Sequence, residues 1–340
     1  MQTPYFLFKP KILEQNYKEF EKLAEKYLKD YVIAYSIKTN SFEPVIKELE
    51  KLGSNFEVAS IDEIEKVNKA GVYNSSCKSE EELKMAIEKK FLINIDNRSE
   101  INRISKILNG KKFNVGLRIS FTESKFGFEE SELDKAIDYC KNKNLNVICL
   151  HFHVGTQKNP SQFHDNLIGA ERVVSRALKK TKLKYVDLGG GFPDKLHMRN
   201  LKVNLEDYFK LINEHFKKFK LNIILEPGRY LVADAFDMIT KVCILKRNFG
   251  RNYAILDVGI NVLSKITLAK YRFSKLNEKG DSEKKEYFLA GPLLFSNDIV
   301  GKYIGNLKEE DLIKVENVGA YCYNLAWEIS YKKPKILIEV

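Results

Sequence analysis

The side chain with the clearest chemical potential in this sequence is the amine of Lys38. It follows a mostly apolar run from Tyr31 to Ile37 and precedes the polar pair Thr39 and Asn40. Such a run is typical of a buried strand, and a lysine at its end is costly to bury unless it is neutralised or bonded. A Schiff base between this amine and an aldehyde cofactor is one chemical answer. The alternative is that Lys38 simply reaches solvent where the strand ends.

Three other apolar runs end in motifs that suit an anionic cofactor. These motifs are His151-Phe-His153-Val-Gly-Thr-Gln157, Asp187-Leu-Gly189-Gly190-Gly191-Phe-Pro193 and Glu226-Pro-Gly228-Arg229-Tyr230. Consecutive glycines leave backbone N–H groups accessible to a phosphate, and an arginine can add a charged fork. A carboxylate such as Glu226 could keep a pyridine nitrogen protonated. Each motif alone also fits a structural role, as a tight turn, a core histidine or an ion pair.

The elements that must position these motifs alternate between strand and helix. After a strand at Tyr5–Phe8 and a helix over about residues 12–28, apolar runs recur with helical periodicity between them. These eight runs are Tyr31–Ile37, Asn55–Ala59, Val72–Ser76, Phe91–Ile95, Asn114–Ile119, Val147–Val154, Tyr185–Leu188 and Ile223–Glu226. Such an alternation predicts a (β/α)8 barrel, in which ligands lie at the carboxyl ends of the strands. An amine, a glycine cradle and a carboxylate at one barrel mouth fit pyridoxal 5′-phosphate.

The alternation ends near Ala235 and short alternating runs follow. They predict antiparallel strands at Met238–Leu245, Tyr253–Asp257, Ile266–Ser274, Glu286–Ala290 and Leu312–Val318. The polar stretch Lys275–Lys285 predicts an exposed hairpin loop. We therefore predict an α/β fold with a TIM-like barrel over residues 9–235. An antiparallel β domain would comprise residues 236–340 together with residues 1–8.

The composition indicates which binding partners and which cellular compartment to expect. The net charge of +11 could indicate nucleic acid or a membrane surface, but the lysines are interleaved with glutamates along the predicted helices. Dispersed charge of this kind is typical of a solvated face, so we expect neither partner. Five scattered cysteines have no metal-ligand spacing and fit reduced thiols, and we expect no metal. No signal region or membrane-spanning run is visible, which predicts a cytoplasmic protein.

In their order along the chain, the motifs resemble the alanine racemase-fold (fold type III, group IV) amino-acid decarboxylases that use pyridoxal phosphate. This group includes diaminopimelate, ornithine and arginine decarboxylases. The resemblance runs from about Thr3 to the C-terminus. It is carried by the three motifs above and by Ala34-Tyr-Ser-Ile-Lys-Thr-Asn40, Ser124-Lys-Phe-Gly127, Gly291-Pro-Leu293 and Gly319-Ala-Tyr321. It implies decarboxylation in a barrel followed by a β domain that Tyr5–Phe8 joins. It also implies a homodimer with shared active sites.

The resemblance further implies roles for individual residues. The catalytic candidates are Lys38, which would form the Schiff base, Glu226, which would pair with the pyridine nitrogen, and His153, which would stack on the ring. The other candidates would contact the cofactor. Phosphate contacts would come from Gly190, Gly191, Arg229 and Tyr321 with Thr156 nearby, while Glu57 would lie beside the Schiff base and Arg118 near the cofactor edge.

The chain departs from the family in the loop that would face the substrate. The family reads Gly-Pro-x-Cys followed by an acidic residue, whereas this chain has Leu294 and Phe295 at those positions, with Asp298 three residues further on. The cysteine is expected to return a proton to Cα, and the acidic residue to pair with a distal amine of the substrate. The residues predicted to contact the cofactor thus match the family pattern, whereas the residues predicted to face the substrate differ from it. A racemase or epimerase, or an inactive protein that binds pyridoxal phosphate, are the alternatives.

Overall fold

A computed structural model of the chain describes residues 2–153, 155–264, 269–276 and 284–339. In chain order, its strands are β1 (Tyr5–Phe8), β2 (Tyr31–Ser36), β3 (Asn55–Val58), β4 (Val72–Asn74), β5 (Leu92–Ile95), β6 (Phe113–Ser120), β7 (Phe128–Glu129), β8 (Leu145–His151), β9 (Tyr185–Asp187), β10 (Asn222–Leu225), β11 (Phe236–Asn248), β12 (Arg251–Leu256), β13 (Arg272–Lys275), β14 (Lys285–Ala290), β15 (Ile299–Gly305), β16 (Leu312–Glu316) and β17 (Lys335–Ile338).

The α-helices of the described residues include two long ones and several short ones. They are α1 (Pro10–Tyr27), α2 (Glu43–Lys51), α3 (Ile61–Glu65), α4 (Glu80–Glu88), α5 (Arg98–Ile107), α6 (Leu133–Asn142), α7 (Pro160–Ala177), α8 (Lys195–Leu201), α9 (Leu205–Phe216), α10 (Arg229–Val232) and α11 (Cys322–Leu325). Among them, none is both long and apolar enough to cross a membrane.

Eight parallel strands close into a barrel, as the strand–helix alternation predicts. Their order is β5-β4-β3-β2-β10-β9-β8-β6, and pairing between β5 and β6 closes the ring. The compact unit that contains the barrel comprises Tyr17–Pro193 and Met198–Gly228. The strand bounds match the apolar runs to within a residue, except that β4 ends at Asn74 and β8 spans Leu145–His151, and Val154 lies outside the described residues. Since barrel strands run parallel, the carboxyl ends of β2, β3, β8 and β10 meet at one mouth.

The second compact unit comprises the chain up to Asn16, Asp194–His197 and the chain from Arg229 onward. Its sheet has the order β13-β16-β11-β12-β14-β15, and β1 pairs with β11 and β17. The expectation that Tyr5–Phe8 joins this sheet is confirmed, since Tyr5 pairs with Ile239. The sheet is mostly rather than wholly antiparallel, because β12–β14 and β1–β17 pair in parallel. The chain passes through β13 at the far edge of the sheet before it returns as β14.

Some predictions for the second unit need correction or fall outside the described residues. The run Ile266–Ser274 contributes β13 only from Arg272, and residues 265–268 lie outside the described part. Most of the predicted Lys275–Lys285 loop, residues 277–283, lies outside it as well. Strands β15 and β17 were not predicted from the sequence. The domain boundaries at residues 9–235 and 236–340 with 1–8 stay a prediction.

A wholly buried ion pair holds the loop that follows β4 against β5 and α5. The side chains of Lys78 and Glu100 are both 0% exposed, and their charged atoms are 2.9 Å apart. Lys78 Nζ also donates to the carbonyls of Ser75 and Asn94. Burial lowers the pKa of Lys78 and raises the pKa of Glu100, so neither charge is stable there without the other.

Replacing Lys78 with methionine is expected to lower the free energy of unfolding by about 3–5 kcal/mol, because the substitution leaves the Glu100 carboxylate buried without its cation. Denaturation in urea measures the change. The matched control is Lys106→Met, since Lys106 is paired with Glu80 at 3.2 Å on the surface and should leave the free energy of unfolding nearly unchanged. Equal, small effects of both substitutions would contradict this account of the buried pair.

Candidate functional site

The amine of Lys38 is held at the barrel mouth by a carboxylate from the neighbouring strand. Lys38 lies in a short 3-10 turn, Ile37–Thr39, that directly follows β2. Its Nζ is 2.5 Å from Oε2 of Glu57 on β3, and the Ser36 hydroxyl donates to the same oxygen at 2.5 Å. Glu57 is 1% exposed while the Lys38 side chain is 42% exposed. The Glu57 carboxylate therefore orients the Lys38 amine on one side, while the other side stays accessible.

The accessible side of Lys38 faces a cavity of about 280 Å³ at the carboxyl ends of the barrel strands. This volume is close to the lower end of the range for small-molecule sites, about 300 Å³. Its lining brings five predicted site residues together, namely Lys38, Glu57, Arg118, His153 and Glu226. The position agrees with the barrel mouth as the place where ligands bind.

Glu226 and Asp187 form a pair of buried carboxylates with opposite protonation. Burial and the nearby Glu226 raise the pKa of Asp187 well above its usual range. Burial also pushes the pKa of Glu226 upward, but the side chains of His151, Lys38 and His153 outweigh it and hold that pKa at about 2. At neutral pH, Glu226 is therefore the charged member and Asp187 the protonated one.

Two histidines at the end of β8 are neutral at neutral pH. Burial lowers the pKa of His151, whose ring nitrogens have no hydrogen-bond partner among the described residues and whose Nε2 is 3.7 Å from Glu226. The His153 ring is exposed to the cavity, yet desolvation by the surrounding barrel mouth, followed by the charge of Lys38, lowers its pKa. An uncharged ring facing the cavity can stack on a flat, electron-poor cofactor.

Arg118 supplies the cation of this cavity on the side of β6. Its guanidinium lies 3.8 Å from the Asp96 carboxylate and 4.3 Å from the centre of the Phe126 ring. An ion pair on one side and an aromatic ring on the other restrict the side chain to one position. Arg118 is thus oriented toward the cavity and not free to follow solvent.

The glycine motif after β9 accommodates side chains poorly. A Cβ at Gly190 would lie 2.7 Å from the Glu226 carbonyl oxygen, and Gly189 and Gly191 have φ angles of +66° and +96°. The bare backbone can therefore pass close to the end of β10. Thr156 is exposed in the turn after β8, and neither it nor the glycines line the cavity described above.

Arg229 and Tyr321, the other predicted phosphate contacts, belong to the second unit. There the Arg229 guanidinium lies 5.0 Å from the centre of the Tyr321 ring, so the two are brought together. Tyr321 has a φ of +69°, a left-handed conformation that a bulky residue rarely adopts. The Arg229 guanidinium and the Tyr321 ring therefore lie next to each other within the second unit.

The loop Gly291–Asp298, where the sequence departs from the resembled pattern, exposes apolar side chains and buries its acidic side chain. Leu294 is fully exposed and Phe295 is 43% exposed, with its ring centre 6.2 Å from that of Trp327. Asp298 is only 3% exposed and accepts backbone hydrogen bonds from Ile260 and Leu293. Its carboxylate therefore holds the loop in shape and does not offer a charge to solvent.

Three functional candidates were not identified from the sequence. Asn74, Asn94 and Asp187 connect to Glu226 through a buried network, in which Asn74 donates to Glu226 at 2.6 Å. The available signal was polarity inside apolar strands, since Asn74 closes β4 and Asn94 interrupts the Leu92–Ile95 run. A buried amide is costly unless it is bonded, which makes such interruptions informative.

The chemistry of the described donor set fits pyridoxal phosphate. A lysine amine, an ionised carboxylate and a neutral imidazole line one cavity of suitable size. A side-chain-free backbone, which suits a phosphate, follows the adjacent strand β9. The cavity therefore provides partners for an aldehyde, a pyridine nitrogen and a ring face.

Comparisons with known proteins agree with this reading. Residues 13–233 match the family described as "Pyridoxal-dependent decarboxylase, pyridoxal binding domain". A diaminopimelate decarboxylase of Vibrio cholerae is 28% identical, over 95% of this chain and 84% of that protein. One from Helicobacter pylori (strain J99) is 28% identical, over 99% of this chain and 89% of that protein. The crystal structure of a lysine decarboxylase from Selenomonas ruminantium has a TM-score of 0.84 and 25% identity, covering 99% and 93% of the two chains.

The family match extends over well over half of the 340 residues. The predicted decarboxylase resemblance, the barrel with its β domain and the cofactor are thereby confirmed. The alternatives of a racemase and of an inactive cofactor-binding protein gain no support. This chain belongs to the pyridoxal-dependent decarboxylase family and is an enzyme that uses pyridoxal phosphate to remove the carboxyl group of an amino acid.

Proposed function

We propose that Lys38 carries the cofactor and that the substrate is an amino acid or diamino-acid derivative whose distal part meets an apolar surface. The observation that carries the first part is the 2.5 Å contact between Lys38 Nζ and the buried Glu57 carboxylate, at a cavity that Glu226 and His153 also line. A lysine held by one strand and directed at a pocket is arranged for chemistry and not for solvation.

Pyridoxal phosphate, when bound, supplies an electron sink for the electrons left behind as carbon dioxide departs. Glu57 and Ser36 hold the Lys38 amine at one point of the barrel mouth. The amine is therefore already positioned to react with the aldehyde carbon of a bound cofactor. Glu226, buried and ionised, would pair with the pyridine nitrogen of the bound cofactor and would favour its protonated form. The neutral His153 ring would cover one face of the cofactor ring without adding a competing charge.

The apolar loop at Leu294 and Phe295 supports a substrate without a free distal amine. The relatives are named for diaminopimelate and lysine, both of which carry such an amine, whereas this loop offers Leu294 and Phe295 where the resemblance places a cysteine and an acid. An amine against these side chains would lose hydration without gaining a charged partner. We therefore place apolar or bulky distal groups, or a modified amine, ahead of lysine itself.

A homodimer is part of this proposal. Leu294 is fully exposed, and Phe295 and Trp327 are partly exposed, so the loop presents a group of apolar side chains that a second chain can cover. The resemblance implies that this loop reaches into the site of a second copy. Asp298, through its two backbone acceptor contacts, would keep the loop in the shape that docking requires.

The double substitution Leu294→Cys with Phe295→Asp is expected to shift the substrate preference toward diamino acids. It restores a thiol and a carboxylate, so kcat/KM for lysine, ornithine or diaminopimelate should rise at least about tenfold, corresponding to one recovered charged contact. Carbon dioxide release from a panel of amino acids measures the change. Ile304→Asp, another exposed apolar-to-acidic change in the same unit, is the control and should leave the preference unchanged. A wild-type enzyme that already prefers these diamino acids would overturn the proposed substrate class.

The proposed role of Lys38 is tested by trapping. Reduction of the cofactor-loaded protein with borohydride, followed by peptide mass mapping, should place the pyridoxyl group on Lys38. Attachment to another lysine, or to none, would refute the assignment while leaving the family membership intact.

A further inference from the structure

The carboxylate of Glu226 has one close amide donor that belongs to no assigned role. Asn74 closes strand β4, is 7% exposed, and its Nδ2 donates to Glu226 Oε1 at 2.6 Å. A second, longer contact of 3.4 Å joins the same nitrogen to Oε1 of Glu57. One side-chain amide thus reaches both carboxylates of the cavity, the one beside Lys38 and the one proposed for the pyridine nitrogen.

The orientation of the Asn74 amide is set by a second asparagine. Asn94 on β5 is 1% exposed, and its Nδ2 donates to Asn74 Oδ1 at 2.9 Å and to Asp187 Oδ2 at 3.1 Å. Because the oxygen of Asn74 accepts from Asn94, its nitrogen must face Glu226. The chain of contacts therefore leads from Asp187 through both amides to Glu226, where the charged carboxylate accepts from Asn74.

The next strand provides the space that Asn94 needs. Gly116 lies within β6, and a Cβ built there would be 1.9 Å from Asn94 Oδ1 and 3.2 Å from Cys149 Cβ. Glycine inside a strand weakens it and is found where another group approaches closely. Gly116 therefore leaves the space that the buried Asn94 amide occupies.

We propose that Asn74, fixed by Asn94 in the space left by Gly116, is a positioning residue that keeps the Glu226 carboxylate ionised and directed at the cofactor nitrogen. The inference rests on the proposed function of Glu226. The donor stabilises the charged carboxylate, and its fixed amide limits rotation of the side chain. Asn74 lines the same cavity, and we assign it a positioning role because its shortest contact is the one with Glu226.

Asn74→Leu is the main test because leucine has a similar volume and no donor. We expect kcat to fall about 10- to 100-fold with KM little changed. Losses of this size are typical when a residue that orients a directly acting side chain is removed. Without the donor, the pKa of Glu226 should rise, so the acid limb of the kcat profile should move to higher pH. The pH dependence of cofactor affinity, followed by the visible absorbance of the bound cofactor, should move in the same direction and is independent of turnover.

A second variant separates positioning from packing. Asn94→Ala combined with Gly116→Ala removes the amide that holds Asn74 while roughly conserving the core volume. It should shift the acid limb in the same direction by a smaller amount, with an unfolding midpoint close to that of the wild type. Gly116→Ala alone, which places a methyl group against Asn94, should lower the unfolding midpoint more than the double variant does.

Unchanged acid limbs in both kcat and cofactor affinity, in Asn74→Leu and in the Asn94/Gly116 double variant, would overturn the inference. If Asn74→Leu does not fold, the double variant decides by the same criterion. A wild-type protein that binds the cofactor but releases no carbon dioxide would refute the proposed function instead, and the pH dependence of cofactor affinity would still judge Asn74.

Discussion

Replacing Lys38 with alanine is expected to lower kcat/KM by on the order of 10³-fold or more. The substitution removes the proposed covalent attachment and the amine that Glu57 orients at 2.5 Å, two functions that no neighbouring side chain can supply from the same point. Carbon dioxide release under saturating cofactor measures the loss, and the visible absorbance of the protein-bound cofactor should change at the same time.

Lys47→Ala is the matched control for this substitution. Lys47 is an exposed lysine on α2 that pairs with Glu43 at 2.6 Å across one helix turn, and its loss should leave turnover unchanged. Activity of the Lys38 variant within about tenfold of the wild type would show that the cofactor is not attached there.

Glu226→Gln is expected to lower kcat by about 10²- to 10³-fold while the cofactor still binds. Glutamine keeps the size of the side chain but removes the charge that favours a protonated pyridine nitrogen, and such preorganised charge is worth most in a buried site. Because the pKa of Glu226 is held at about 2, the wild type should keep this interaction down to acid pH, losing it only as the pH falls toward that value.

Asp187→Asn is the companion of Glu226→Gln. Since Asp187 already holds its proton at neutral pH, an amide there changes the charge little, and its effect on kcat should be much smaller. Equal losses in the two variants would contradict the assignment of the charge to Glu226, and full activity of Glu226→Gln would remove the proposed electron-sink partner.

Much of the barrel is predictable because its strands are buried on both faces. Runs such as Tyr31–Ile37 and Asn55–Ala59 are apolar for that reason, and the structure ends them within a residue. The strands of the β domain are harder to predict from the sequence, as β15 illustrates. Its sequence contains Gly301, which weakens any strand signal, yet a Cβ there would lie 2.3 Å from the Phe273 ring. The glycine serves packing against a residue distant in sequence, which no local pattern reveals.

The candidate site divides in the same way. Lys38 and Glu226 follow apolar runs and Glu57 lies near the end of one, so their meeting at one mouth follows from the topology of a parallel barrel. Asn74 and Asn94 could not be placed, since their function depends on which strands are neighbours across β4, β5 and β6 and on the space left at Gly116. Nor could the inward turn of Asp298 be foreseen, because its backbone partner Ile260 is distant in the sequence.

Decarboxylation of an amino acid by this chain is best measured by mass spectrometry of substrates incubated in deuterated water with the cofactor-supplied protein. The panel should include apolar, bulky and diamino acids of both hands. We predict a product that has lost the carboxyl mass and carries one deuterium at Cα, formed by the wild type and not by Lys38→Ala. Deuterium at Cα with the carboxylate retained would contradict the account and indicate racemisation instead.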